Sequence, residues 1–163
     1  MRMPLTPRAQ GLLTALVVLG AGMSMLAGEA LSLSKGQTLY VPVYSHIYWG
    51  PKPRAFDLAC TLSIRNVDPH VAITLTSVDY FNTDGKKIRS FLDKPVKVLP
   101  LGTKEYYIEE TDKAGGSGAN FLVKWAADKD TNPPIVECVM IGVESSQGVS
   151  FTSRGRVVLD HPK

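Results

Sequence analysis

The segment FDLACTLSIRN, residues 56–66, constrains this chain more than any other. Phe56, Leu58, Cys60, Leu62 and Ile64 alternate with Asp57, Ala59, Thr61, Ser63 and Arg65. A period of two places the first set on one face of a pleated strand and the second on the other. The apolar face needs an opposing layer to cover it. No helical period of useful length occurs beyond residue 30, so that layer is expected to be a second sheet.

The rest of the chain repeats the pattern. TLYVPVYS supplies an early strand. VAITLTSVDYF starts with Ile73 and Leu75 on one face and continues with Val78 and Tyr80, which predicts a bulge near Thr76–Ser77. Asp84-Gly85 marks a two-residue hairpin, with Lys86–Leu92 returning beside the preceding strand. Pro95 and Pro100 confine the piece between them to an edge or a crossover. Tyr106 and Ile108 alternate with Glu105, Tyr107 and Glu109, and Phe121, Val123 and Trp125 share a face. IVECVMIGV is apolar on both sides except at Glu137, as a central strand would be. GVSFTSRGRVVL supplies one or two closing strands. Eight or nine strands with turn signals between them predict an all-β fold, a two-sheet antiparallel β-sandwich of immunoglobulin-like type. A small closed β-barrel is the alternative.

Residues 1–30 are set apart by their chemistry. Arg2 and Arg8 precede a charge-free run from Gly11 to Leu26, and Gly28-Glu29-Ala30 ends it with small residues two apart. This is the layout of a secretory signal peptide cleaved after Ala30. The alternative is an uncleaved membrane anchor, since about 18 apolar residues approach the minimum for a span. The expectation is export to the periplasm, or tethering to the inner membrane facing it. Residues 31–163 then make one β-sandwich domain.

Without residues 1–30, 16 basic and 14 acidic residues remain, a net charge of +2. No basic stripe of the kind that nucleic-acid binding needs is present. Lys86-Lys87 sits beside a turn and reads as a solvated hairpin end. Cys60 and Cys138 are separated by 77 residues, too far apart for a short metal knuckle. In an oxidising compartment they are expected to form a disulfide crossing between the sheets. Closing such a loop would stabilise the fold by up to about 4–4.5 kcal/mol on the chain-entropy model. Two separate buried thiols are the alternative.

Two stretches invite a functional reading. In DKAGGSGANFLVKW, residues 112–125, three glycines precede an apolar run. A phosphate loop needs a following lysine and hydroxyl and must open onto a helix; here Ala119-Asn120 and a strand follow. Gly115, Gly116, Ser117 and Asn120 are therefore read first as a strand connector and second as a contact loop. In VYSHIYWG, Tyr44, His46 and Tyr48 form an aromatic strand end, read as edge packing or as a recognition patch. A hydrolase using His46 as general base would need a partnered serine and an orienting acid. No G-x-S-x-G elbow is present, and Ser117 lacks the strand–turn–helix context that an elbow requires. No spacing typical of metal ligands occurs. Neither a metal nor a cofactor is expected.

YVPVYSHIYWG, TLSIRNVD, SVDYFNTDGK, GGSGANFLVKW and VMIGVESSQGVSFTSRG together resemble a bacterial exported family, domain of unknown function 3124, over about residues 38–158. The resemblance implies export and a single domain, and it supplies no catalytic residues. Small residues commonly occupy the positions of Cys60 and Cys138 in that family, which implies that a bridge would be an addition in this chain. The reading that results is a non-enzymatic binding or accessory module of the cell envelope, meeting a protein or an envelope component. A hydrolase built on His46 and a membrane-tethered structural domain are the alternatives. Contact with the membrane follows only if residues 1–30 are retained.

Overall fold

The computed structural model describes residues 32–144 and 146–161. The expected leader, residues 1–30, lies outside the described residues. Twelve strands occur among the described residues: β1 (Ser34–Pro42), β2 (His46–Trp49), β3 (Arg54–Asp57), β4 (Ala59–Arg65), β5 (Ile73–Phe81), β6 (Lys87–Ser90), β7 (Val96–Val98), β8 (Thr103–Ile108), β9 (Asn120–Thr131), β10 (Ile135–Glu144), β11 (Gln147–Arg154) and β12 (Arg156–Asp160). The strands beyond the expected eight or nine are the short ones, β2, β3 and β7.

The strands form two open antiparallel sheets and one small hairpin. The first sheet runs β12-β1-β9-β5-β6, with β7 also paired to β5. The second runs β11-β10-β4-β8, and β2 pairs with β3. Both large sheets keep free edges, so the fold is a β-sandwich and not a closed barrel. The even/odd pattern of the sequence is realised in the packing. Phe56, Leu58, Cys60, Leu62 and Ile64 are all buried, opposite Ile73, Leu75, Val78, Tyr80, Phe121, Val123 and Trp125 of the first sheet. Each such large side chain removed from water contributes about 1.5–3 kcal/mol before entropy is counted.

The parity change in β5 is a bulge, where the register with β9 shifts between Leu75 and Ser77. The extra residue turns Thr76 to solvent and keeps both Leu75 and Val78 inside. Asp84-Gly85 forms the expected hairpin, closed by Asn82 N donating to Lys86 O at 2.9 Å. β10 is the expected central strand, between β11 and β4. Its inward residues Val136, Cys138 and Met140 are buried, while Ile135, Ile141 and Val143 stand on an outer face open to solvent.

The expected disulfide between the sheets is not what forms. Cys60 and Cys138 are both free and both buried. They lie on adjacent strands of one sheet, with Cys60 opposite Met140 and Cys138 opposite Leu62. That makes them diagonal neighbours, a relation in which the two residues' Cα and Cβ atoms stand farther apart than in a directly opposed pair. The thiols lie near 3.6 Å from each other, unbonded. Hydrogen bonding to Cys60, together with burial, pushes the Cys138 thiol far above its ordinary range.

Candidate functional site

The β2–β3 hairpin lies at one end of the sandwich. Its register pairs His46 with Asp57, Ile47 with Phe56, Tyr48 with Ala55 and Trp49 with Arg54. Alternation therefore gives the hairpin two different faces. Ile47, Trp49, Arg54 and Phe56 share one face, and His46, Tyr48, Ala55 and Asp57 share the other. β3 crosses β10 at Gly142, where a Cβ would run into Asp57 O and Phe56 Cε1. Only glycine lets the hairpin approach β10 this closely.

The first face, with the end of the β10–β11 hairpin, encloses an open cleft of about 230 Å³. Ile47, Phe56 and Val149 form an apolar wall, and Trp49, Arg54, Glu144 and Gln147 complete the lining. Trp49 keeps 44% of its surface exposed. The Arg54 guanidinium carbon stands 4.3 Å from its ring centroid. That stacking restrains both side chains while leaving the guanidinium edge free to accept a carboxylate.

The predicted site residues fall elsewhere. His46 and Tyr48 occupy the face turned away from the cleft. His46 Nδ1 meets Ser45 Oγ at 3.1 Å, and Nε2 meets the Tyr48 hydroxyl at 3.1 Å. Both ring nitrogens are thereby engaged, and neither partner is a carboxylate. Tyr44 is half-buried and packs edge-on against Phe151, with ring centroids 5.7 Å apart. Tyr48 is the most exposed of the three, at 60%.

The glycine loop is brought beside this segment. Ser45 N donates to Gly116 O at 3.2 Å, and Val43 N donates to Ala119 O at 3.0 Å. Lys113 Nζ lies 2.7 Å from Asp57 Oδ2, tying the start of the loop to β3. Gly115 is buried against Tyr80, and a Cβ there would run into the Tyr80 hydroxyl. The same burial pushes the Tyr80 phenol up to about 12. Gly116 adopts a φ of 76°. Thr83 clasps the loop, its N donating to Gly115 O at 2.9 Å and its Oγ1 accepting from Gly118 N at 3.0 Å. Ser117 and Asn120 are half-buried. The loop is a packed connector, and its glycines serve close approach.

Sequence reasoning missed the cleft because its residues come from four separate strands, and only their pairing brings them together. One local signal was available: IYW and RAF flank the turn GPKP, which marks a hairpin and places Trp49 opposite Arg54. Among the described residues, no group of three or more His, Cys, Asp or Glu side chains converges on a point where a metal ion would sit.

Among curated proteins, none matches this chain. The crystal structure of Thermotoga maritima 1070 is similar over 74% of this chain and 92% of its own, with a TM-score of 0.44 and 11% identity. The pattern of the protein family of unknown function DUF3124 matches residues 36–158, and the chain belongs to that family.

Proposed function

We propose that this protein is a non-enzymatic binding module whose contact site is the cleft between the β2–β3 hairpin and the end of β10–β11. A single observation carries the reading: Trp49, exposed and held by Arg54, stands over an apolar wall of Ile47, Phe56 and Val149. Tryptophan and arginine over a desolvated pocket are the commonest anchors of protein recognition. The cleft suits an apolar side chain of a partner, with Arg54 receiving an adjacent carboxylate. The charge-free run Gly11–Leu26 supports placing this encounter in the cell envelope, with the partner a protein or an envelope component. The hydrolase alternative gains no support, since His46 is engaged by Ser45 and Tyr48 on the opposite face of the hairpin.

Photo-crosslinking in the producing cell tests this. A benzophenone amino acid at Gln147, on the cleft rim, is expected to yield a discrete adduct that Arg54→Ala or Trp49→Ala removes. The same probe at Thr76, on the far sheet, is expected to yield none. Equal adducts from both positions, or an adduct indifferent to both substitutions, would overturn the proposal.

A further inference from the structure

The geometry points to the open edge of β11 as a site where one extended segment of another polypeptide adds as a strand, passing the mouth of the cleft. This deepens the proposed function and rests on it.

β11 is unusual among the sheet edges of the described residues. Free strand edges are normally guarded by charges, proline, bulges or shortness. β6 is four residues long with Lys87 and Arg89, β7 is three residues long with Lys97, and β8 carries Lys104 and Glu105. β12 carries Arg156 and Asp160 and has a register shift against β1. β11 runs eight residues in unbroken register with β10, from Arg154 opposite Glu137 to Gln147 opposite Glu144. It holds no lysine and no proline, and Arg154 at its end is its only charge.

The free groups on this edge can be named. Gly155 N donates to Val136 O at 2.8 Å, which makes that pair a hydrogen-bonded one. Bonded and non-bonded pairs alternate along an antiparallel ladder. Ser153, Phe151, Val149 and Gln147 are thus bonded to β10, and Gly148, Ser150 and Thr152 turn their N–H and C=O groups outward.

The opposite sheet extends beyond this edge. Leu39 on β1 faces inward and is 4% exposed, whereas its cross-strand neighbour Val157 on β12 is 42% exposed. All five residues of β12 are exposed. The second sheet therefore stops one strand short of the first, and a strand added to β11 would cover Val157.

An added strand would turn alternate side chains inward beside Phe151 and Val149 and into the cleft. Arg154 stands at the other end of β11, in no ion pair among the described residues, whereas Arg156, opposite exposed Tyr40, faces away from the slot. The occupant is thus an extended segment with apolar residues at alternate positions and a carboxylate at the end reaching Arg154. A second copy suits the slot less well, because its β11 edge carries no carboxylate to meet Arg154.

The test uses the full chain and fluorescein-labelled heptapeptides of alternating Thr and Val with Asp at one end or the other, their Lys counterparts, and versions N-methylated at alternate residues. One Asp peptide is expected to bind and to slow amide exchange at Gly148, Ser150 and Thr152. Its Lys counterpart, its N-methylated version on the bonding residues, and Ser150→Pro or Thr152→Pro are each expected to weaken binding about tenfold or more. The peptide variants test the idea without relying on altered protein. Binding that Trp49→Ala removes but edge proline and N-methylation leave unchanged would overturn the inference and leave the cleft reading standing. Edge amides already protected in a concentration-dependent dimer would overturn it in favour of a second copy. Failure of every peptide to bind would also overturn it.

Discussion

Asp68 Oδ2 accepts from Thr131 Oγ1 at 2.7 Å, buried, although the two residues are 63 positions apart in the chain. The same oxygen receives Asn132 N at 3.1 Å, and Oδ1 receives His70 N at 2.9 Å and Val71 N at 2.8 Å. One carboxylate thereby fastens the β4–β5 connection to the turn between β9 and β10. The His70 amide first, then Thr131, Asn132 and Val71, hold its carboxyl well below the usual carboxylate range, against the opposing effect of burial. A depressed folded-state pKa means that this stabilisation is fully present above the ordinary value of 3.8 and is lost as pH falls below it. Asp68→Asn is expected to lower Tm by several degrees at pH 7 and to shrink the gap to the parent as pH falls from 4 to 2. Thermal melts across that range check this; a gap that stays constant would refute it.

Gly115 sits where any side chain meets the Tyr80 hydroxyl. Gly115→Ala is expected to destabilise the fold by about 1–3 kcal/mol, in the range of overpacking a core site. Gly85→Ala, at a hairpin with open space around it, lacks that clash and pays only for its φ of 75°. Urea unfolding of the two variants separates steric conflict from backbone strain.

Cys60 and Cys138 are expected to ignore a thiol reagent in the folded protein and to release two equivalents on unfolding without reductant. Both thiols are buried, and hydrogen bonding to Cys60 together with burial favours the protonated, unreactive form of Cys138. Zero equivalents after unfolding would mean that the pair is bridged. Cys138→Ser is expected to cost about 1–3 kcal/mol, because a hydroxyl replaces a fully buried thiol.

The two faces of the second sheet should respond unequally. Leu62, inward on β4, is 0% exposed, and Val143, outward on β10, is 66% exposed. Leu62→Ala is expected to cost about 2–5 kcal/mol and Val143→Thr less than about 0.5 kcal/mol. Similar losses at both positions in chemical denaturation would contradict the layering.

The layering was legible because alternation is a local property: Phe56 to Ile64 announce their common inward face even though the chain passes from β3 to β4 at Leu58, and the parity change before Val78 announces a bulge. What cannot be read locally is which strands become neighbours. Cys60 and Cys138 look like partners across two sheets until β4 and β10 are seen side by side, and the distance between the cysteines along the chain carries no trace of that. The cleft was missed for a related reason. His46 and Tyr48 drew notice by residue type, but the period that governs the core turns them away from Ile47, Trp49 and the cleft. Glu144, Gln147 and Val149 lie about a hundred residues further on and join the hairpin only through the β10–β11 end.

The placement of β1 has a consequence for how the molecule is built. This strand, Ser34–Pro42, pairs with β9 on one side and β12 on the other, both supplied by the later part of the chain. Its backbone groups find no ladder until residues 120–131 arrive, and the second ladder waits for residues 156–160. Early, stable half-structures are thereby disfavoured, and acquisition of the native state becomes a late, concerted and comparatively slow event. In a polypeptide with this wiring the first sheet is complete only once β12 is present.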